Sequence, residues 1–396
     1  MHLGLPGAPG LIALICAAVA SSIAYGDWRG NISAEHRFFP EQSLFPEQYN
    51  SYTSVAIEPE YRRQWQDGKN LFTFLPFARL DNHDKERSHN DIRELSYISA
   101  LDGYEWRVGI RKVFWGVAES RHLIDIINQT DLVEDPDEED KLGQPMVNLA
   151  IIRDWGTIDI FVLPYFRERT FPGNAGRLRT PYAIDEDYPL FESDQEQRHI
   201  DGALRWSHNL GDWDLGLAYF SGTNREPILI ADPAGSPALV PFYGLISQVS
   251  LDIQATKGAW LWKLEALQRK ESSSQFEAAV GGLEYSFYGL LGSPMDLGII
   301  TEYLYDNRPN GTVFDDDVMV GLRLALNDTQ STELLAGMIS DRNDDTRMLT
   351  LEASRRIGGH WKLELIARKF DSTALTNSLY WLRQDDYIQF TLGYYF

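Results

Sequence analysis

Apolar and polar residues alternate one by one in many separate segments of this sequence. In one segment the apolar residues Trp361, Leu363 and Leu365 alternate with Lys362 and Glu364. Because successive side chains of a β-strand point to opposite faces, this period of two indicates strands with one apolar face. Charged side chains occupy the middle of the polar face, and aromatic residues lie near the ends of the apolar face. That distribution is typical of a β-barrel that crosses a membrane, with a polar lumen and an apolar outer band.

Eighteen segments of this kind occur, and each predicts one strand. They cover 27–39, 51–63, 71–81, 91–101, 105–115, 147–154, 157–166, 199–208, 213–221, 246–255, 260–270, 276–287, 297–306, 317–326, 333–340, 348–355, 360–370 and 387–396. Short connections rich in Gly and Asx-Gly, which suit tight hairpins, alternate with long ones. We therefore predict an all-β fold, a transmembrane antiparallel β-barrel of eighteen strands, with short periplasmic turns and long extracellular loops. The alternation of connection lengths weakens after residue 270, so sixteen strands also fit.

The first 26 residues differ from the rest because none of them is Asp, Glu, Lys or Arg. They include an apolar stretch from Leu11 to Ala24, which is typical of a secretory signal and too short to cross a membrane. We predict a signal peptide over 1–26 and one barrel domain over 27–396. The single cysteine, Cys16, falls in the signal, so we expect a mature chain without disulfides.

The sequence has 58 Asp and Glu against 36 Lys and Arg, a formal net charge of −22. This balance argues against nucleic acid as a partner. The chain lacks the Gly-x-Ser-x-Gly motif, and its histidines lack the spacing of a metal site. We therefore expect no enzyme activity, no metal and no cofactor, although a site assembled from distant strand ends stays open.

Four segments between residues 91 and 169 resemble a known family. They read Asp-Ile-Arg-Glu-Leu-Ser-Tyr at 91–97, Arg-Val-Gly-Ile-Arg-Lys-Val-Phe-Trp-Gly at 107–116, Leu-Gly-Gln-Pro-Met at 142–146 and Phe-Val-Leu-Pro-Tyr-Phe-Arg-Glu-Arg at 161–169. They resemble a widespread proteobacterial family of porin-like outer-membrane barrels, most without an assigned substrate. The terminal Phe396 resembles the signal that barrel-assembly machinery reads. The resemblance implies the fold and the cell outer membrane as location, but it assigns no ligand. In that location we expect outer-membrane lipid and lipopolysaccharide as partners.

Strand parity predicts which charged side chains line the lumen. The pore-lining candidates are Arg79, Arg107, Arg111, Arg205, Lys263, Arg269, Glu302, Arg323, Glu352, Glu364 and Arg368, with Lys362 and Glu265 on the same parity. Charged rings set the selectivity of pores, so an arginine-rich lumen predicts a path for anionic or hydroxylated solutes. The alternative is that these charges pair across strands and only fill a polar interior. Near-complete pairing would favour a plugged barrel, and unpaired arginines would favour an open path.

The long connection 116–146 combines an apolar stretch with a run of acidic residues. By analogy with the third outer loop of general porins, we predict that 119–133 forms a short helix at a constriction. Its candidate residues are Asp125, Asp131, Glu134 and Asp135. A solvated acidic surface loop is the alternative interpretation.

Acidic residues also cluster in two later connections, at Asp315, Asp316 and Asp317 and at Asp341, Asp344 and Asp345. Carboxylates of this kind are candidates to bind Ca²⁺ or Mg²⁺ that bridges lipopolysaccharide. They lack the spacing of a dedicated calcium loop, so solvated surface charge is the simpler interpretation.

Together these patterns predict a porin-like channel for the passive diffusion of small hydrophilic solutes, with anions among the candidates. The alternative is a plugged barrel that acts as a surface binding or structural protein, or as an outer-membrane component of an export system. The sequence leaves open whether the barrel is a monomer or an oligomer.

Overall fold

The computed structural model describes residues 28–309 and 311–396, so the predicted signal peptide 1–26 lies outside the described residues. The strands in chain order are β1 (Trp28–Phe38), β2 (Ser51–Trp65), β3 (Asn70–Asp81), β4 (Asn90–Leu101), β5 (Tyr104–Arg111), β6 (Gln144–Arg153), β7 (Gly156–Leu163), β8 (Leu190–Phe191), β9 (Asp201–Leu210), β10 (Trp213–Thr223), β11 (Ile228–Ala231), β12 (Leu239–Tyr243), β13 (Leu245–Lys257), β14 (Trp260–Glu271), β15 (Gln275–Phe287), β16 (Asp296–Asp306), β17 (Asp316–Ala325), β18 (Glu333–Asp341), β19 (Arg347–Ile357), β20 (Trp361–Asp371) and β21 (Tyr387–Tyr395).

Eighteen of these strands form one antiparallel sheet that closes on itself. Each barrel strand pairs with the next one along the chain, and β1 pairs with both β2 and β21. Closure removes the two free edges that an open sheet would expose to lipid. The prediction of an eighteen-stranded barrel is confirmed, and each of the eighteen predicted segments corresponds to one barrel strand.

The two faces of the barrel differ as the alternation predicts. On β5, Trp106 and Val108 are each 43% exposed on the outer face, whereas Arg107 between them faces the interior. Aromatic rings meet near the short turns, in the pairs Trp28–Tyr61, Trp260–Tyr285 and Trp361–Tyr394, with centroids 4.5 to 5.2 Å apart. An apolar outer face with an aromatic belt suits lipid and its interface.

The remaining regular elements lie in the long loops and turns. Strand β12 pairs antiparallel with β11 and parallel with β8, which joins the loops after β7 and β10 in a small three-stranded sheet. This sheet could not be predicted from the sequence, because its strands are too short to show a period. Within residues 28–309 and 311–396, three short 3-10 helices cover Glu196–Arg198, Leu290–Gly292 and Ser378–Leu382. Among the described residues no helix is long and apolar enough to cross a membrane.

The predicted helix over 119–133 is wrong, since this segment consists of bends and turns. A helix would require its backbone N–H groups to bond to carbonyls four residues earlier. Instead, the N–H groups of Glu119, Ser120 and Ile124 donate to glutamate side chains of the barrel wall. Contacts with the wall have therefore replaced the hydrogen bonds within the segment.

Strand β5 ends at Arg111, earlier than the predicted residue 115. Beyond it, the N–H of Val113 donates to Asn128 and the N–H of Trp115 donates to Asp125. Because both acceptors belong to the following connection, the chain leaves the wall here and turns into the barrel.

Candidate functional site

The connection between β5 and β6, residues 112–143, lies inside the barrel and is called the inner loop below. Its apolar residues Leu123, Ile124, Ile126 and Ile127 are at most 6% exposed. They belong to one buried cluster with side chains of the inner wall, among them Met146, Phe161, Ala203, Phe220, Leu267, Val280, Ile300, Leu304 and Met319. Full burial of such a side chain contributes roughly 1.5–3 kcal/mol. The barrel interior therefore contains an apolar core that the inner loop completes.

Glu265 on β14 holds the backbone of the inner loop against the wall. Its carboxylate accepts the N–H groups of Val117 at 2.6 Å, Ala118 at 2.8 Å and Ile124 at 3.3 Å. The side chain is buried beneath the loop. Glu265 lies on the inner face as strand parity predicts, but it does not pair with a charge across strands, which was the alternative for this set; its partners are backbone donors of the loop.

Glu302 on β16 holds the inner loop in the same way, at the residues that follow Ala118. It accepts the N–H groups of Glu119 and Ser120, both at 2.8 Å, and the Ser120 hydroxyl at 2.6 Å. This predicted pore-lining residue faces the interior, but the inner loop covers it and leaves it 2% exposed. Hydrogen bonds to a charged acceptor are stronger than neutral ones, so the two glutamates are the main polar anchors of this stretch.

The predicted constriction residues Asp131 and Glu134 lie inside the barrel and contact arginines of the wall. Arg79 on β3 pairs with Glu134 at 2.7 Å and with Glu35 on β1 at 3.1 Å. Arg93 on β4 pairs with Asp131 at 2.7 Å. All of these side chains are buried, so removal of one partner would leave an uncompensated charge.

Asp135 marks the point where the inner loop contacts β20. Arg368 on β20 donates to Asp135 at 2.7 Å through Nη1 and to Asp137 at 2.7 Å through Nη2. It also lies 3.5 Å from Glu352 on β19. Burial raises the pKa of Asp135 to about 7, although Arg368 favours its charged form. This group, Arg368 with Asp135 and Asp137, is called the latch below.

Asp125 stabilises the inner loop itself. Its carboxylate accepts the N–H of Trp115 at 3.2 Å and lies 3.4 Å from the ammonium group of Lys141. Burial raises the pKa of Asp125, and Lys141 opposes that rise. The predicted constriction residue therefore joins the two ends of the loop and does not contact the wall arginines.

The other predicted lumen cations face the interior, and all but one are paired. The pairs are Arg107 with Asp159 and Glu105, Arg205 with Asp252, Arg269 with Glu226, Arg323 and Lys263 with Glu119, and Lys362 with Glu364. Arg111 is the exception: its Nε and Nη1 atoms are buried and have no hydrogen-bond partner among the described residues. Glu119, Asp137 and Glu226 were missed as partners, because parity gives the facing of strand residues and not of loop residues.

A cavity of about 720 Å³ remains between the inner loop and the wall formed by β17 to β21. Its charged lining comprises the carboxylates of Glu119, Asp137, Glu139, Glu333, Glu352 and Glu364 and the cations of Arg121, Arg323, Lys362 and Arg368. Glu333 and Lys362 lie beside the short turns, whereas Arg368 lies near the long-loop end of β20. The cavity therefore follows the wall from the short-turn end to the latch.

A second apolar cluster lies at the long-loop ends of β1, β2, β20 and β21. It contains Phe39, Tyr52, Phe370, Leu379 and Tyr387, each at most 5% exposed. Arg177 adds an ion pair with Asp385 at 2.5 Å, which joins two of the long loops. These contacts cover the outer end of the wall along which the cavity runs.

No protein-family model matches the sequence, and no curated protein matches it. Among solved structures, the chain is similar to Wzi, which is described as an Escherichia coli outer-membrane protein involved in group 1 capsule assembly and as a carbohydrate-binding β-barrel. The TM-score is 0.54 at 7% identity, and the alignment covers 99% of this chain and 89% of Wzi. A BenF-like porin from Pseudomonas fluorescens Pf-5 has a TM-score of 0.52 at 10% identity, over 94% and 98% of the two chains. OccK11 from Pseudomonas aeruginosa has a TM-score of 0.50 at 12% identity, over 93% and 94%. The fold of this chain is thus that of the porin-like barrels of the outer membrane.

Proposed function

We propose that this outer-membrane barrel is a narrow channel for small hydrophilic solutes. The observation that supports it is the cavity between the inner loop and the wall of β17 to β21, with polar groups of both signs along its length. Its volume of about 720 Å³ lies within the range of pockets that hold small molecules, roughly 300–1,000 Å³. A solute that enters from the periplasmic end would meet the latch before it reaches the outer loops.

The charge of this lining favours neutral or cationic solutes. Six carboxylates line the cavity against four Arg and Lys side chains. Charged groups around a pore set its selectivity, so the excess of carboxylates should repel anions. The anionic solutes expected from the sequence would need free arginines, whereas all but one of the predicted lumen cations are paired.

In this proposal, the latch is the part of the path that limits the passage of solutes. Arg368 spans the gap between the wall and the inner loop, and its side chain is only 3% exposed. Removal of its charge would break both bonds to the loop and leave Asp135 and Asp137 without this partner. The inner loop should then separate from β20 and widen the path.

Single-channel conductance in planar bilayers tests the proposal, with Arg368→Gln as the variant and Lys369→Gln as the matched control. Lys369 is the next residue of β20, but its side chain is 57% exposed and pairs with Asp386. We expect small cation-selective steps for the unmodified chain, steps several-fold larger for Arg368→Gln, and no change for Lys369→Gln. Reversal potentials under a KCl gradient give the selectivity. If folded Arg368→Gln conducts no better than lipid alone, the channel proposal is wrong.

The near-complete pairing of interior charges favours a second candidate, a closed barrel that binds its ligand. The inner loop fills the apolar side of the lumen, and the cluster around Phe39 and Leu379 packs at the long-loop ends of β1, β2, β20 and β21. Because Wzi is described as a carbohydrate-binding barrel, oligosaccharides are the first ligands to test by calorimetry. Saturable binding, together with no conductance steps in bilayers for either the unmodified chain or Arg368→Gln, would support this candidate over the channel.

A further inference from the structure

Three carboxylates converge at the outer ends of β17 and β18. Asp317 on β17 lies directly opposite Asp341 on β18 in the antiparallel ladder. Asp315 belongs to the loop just before β17. One oxygen atom from each of the three residues lies within 4.8 Å of the other two. Like charges directly opposite each other destabilise a sheet, so this arrangement needs a compensating positive charge.

The described residues do not supply that charge, because none of the salt bridges among them involves these three carboxylates. The nearest basic residue in sequence, Arg342, pairs with Asp316 at 2.8 Å. Asp316 is the strand neighbour whose side chain also accepts the hydroxyl of Tyr303. The cation that the sequence places beside the cluster is therefore engaged on the other face of the sheet.

The burial of Asp317 makes this lack of a partner significant. Asp317 is 2% exposed, and its Oδ2 atom is buried without a hydrogen-bond partner among the described residues. A buried carboxylate oxygen without a donor has lost its hydration and has no hydrogen bond to replace it, which costs free energy. An unpartnered oxygen in a group of three carboxylates points to a ligand that is a cation.

The loop after β18 orients the third carboxylate. Asp341 accepts the N–H groups of Asn343 at 2.6 Å and Asp344 at 3.1 Å. Both bonds use its Oδ1 atom, so Oδ2 is left for another ligand. Asp341 is only 9% exposed, whereas Asp315 is exposed at the outer surface. The group is thus fixed on one side by backbone and open on the other side to the medium.

We propose that Asp315, Asp317 and Asp341 bind one divalent cation at the outer rim of the barrel, with Ca²⁺ as the preferred ion. Hard cations take carboxylate oxygens, and Ca²⁺ accepts six to eight oxygen ligands in flexible geometry, so water can complete its shell beside Asp315. Mg²⁺ demands a stricter octahedron and holds its own water more firmly. The bound ion would join β17 to β18 and the loop 307–315 to both. This site does not depend on whether the barrel conducts.

Calorimetric and thermal titrations of the refolded barrel test the site. The chain is refolded in a non-ionic detergent without lipopolysaccharide, stripped with EDTA and titrated with CaCl₂ or MgCl₂. We expect one Ca²⁺ per chain, a melting temperature that rises with Ca²⁺, and Mg²⁺ binding at least about tenfold weaker. Asp317→Asn and Asp341→Asn keep the shape of the side chain and should each weaken Ca²⁺ binding at least about tenfold.

Glu333→Gln is the control, since it removes one carboxylate from the opposite end of β18, far from the cluster, and should leave Ca²⁺ affinity within about twofold. In EDTA, Asp317→Asn should melt at or above the temperature of the unmodified chain, because it removes the repulsion between opposite carboxylates. If the stripped, unmodified barrel shows no Ca²⁺-dependent heat and no thermal shift, a proton shared by Asp317 and Asp341 replaces the ion and the proposal is overturned. It is also overturned if Asp317→Asn binds Ca²⁺ as tightly as the unmodified chain.

Discussion

Replacement of Glu265 by alanine tests whether carboxylates of the wall hold the inner loop in the barrel. Glu265 accepts three backbone N–H groups of the loop, two of them at 2.6 and 2.8 Å and the third at 3.3 Å. Alanine supplies no acceptor, and both Ala118 and Ile124 are buried, so little water can reach the freed N–H groups. The variant should therefore weaken docking of the loop and leave the barrel strands paired.

The size of the effect follows from the hydrogen bonds that are lost. A hydrogen bond to a charged group contributes about 1.5–3 kcal/mol, and a buried donor left unpaired carries a further cost. The bond at 3.3 Å is long and contributes least. We expect a loss of about 3–5 kcal/mol in the free energy of loop docking, which raises the population of the undocked loop roughly 200- to 5,000-fold.

Limited trypsin digestion of the refolded barrel measures this population, since Arg121 and Lys141 are cleavage sites within the inner loop. When opening is fast relative to cleavage, the rate of cleavage follows the open fraction. Glu364→Ala is the control: Glu364 also faces the interior, but it is 38% exposed and pairs with Lys362 alone among the residues that the structure describes, so its loss should cost less than about 1 kcal/mol. Heat-modifiable migration on a gel shows that each barrel is folded. If folded Glu265→Ala is cut no faster than the control, the wall carboxylates do not hold the loop.

Three further results are expected. Burial raises the pKa of Asp135 to about 7. At His89, just before β4, Asp131 and Glu134 of the docked loop outweigh burial and raise the pKa of the imidazole. The barrel with a docked loop therefore binds protons that it releases when the loop leaves. Docking should accordingly be strongest in acid and weaken as the pH rises through about 7, and a conductance that is higher at pH 5 than at pH 8 would contradict this. Gly109→Ala should fail to give a heat-modifiable barrel for two reasons. The new Cβ would overlap the carbonyl oxygen of Leu95, and the backbone of Gly109 has a φ of +129°, which residues with a side chain rarely adopt. Arg79→Met should lower the free energy of unfolding in urea by about 3–5 kcal/mol, and a loss below about 1 kcal/mol would show that its carboxylate partners are solvated.

The eighteen strands could be predicted because each barrel strand has lipid on one face and the lumen on the other along its whole length. That difference produces a period of two in the sequence, as at Trp361 to Leu365, and the period can be recognised without knowledge of distant contacts. The facing of Arg323 and Arg368 followed from the same parity, and their register positions agree. Local sequence was sufficient wherever the environment alternates along the chain.

The partners of these arginines could not be predicted in the same way. Arg323 pairs with Glu119 across 204 positions, and Arg368 pairs with Asp135 across 233. Both carboxylates lie in the inner loop, which has no period to fix its facing. Two kinds of signal were present: the predicted lumen face holds more cations than acids, and the loop is rich in acids. They indicate that the loop supplies countercharge, but not which residue pairs with which.

The apolar core beneath the inner loop also bears on how the lumen could be enlarged. A porin loop is usually regarded as a restriction laid over a water-compatible tunnel, so that its deletion gives a wider tunnel. In this protein the wall behind the loop carries Phe161, Phe220 and Ile300, which water would have to wet once the loop was gone. The barrel is held together from within, as a soluble protein is, as well as by the membrane around it. A loop-deleted version should therefore aggregate or collapse unless those wall positions are first made polar, and enlargement without redesign is feasible only along β17 to β21.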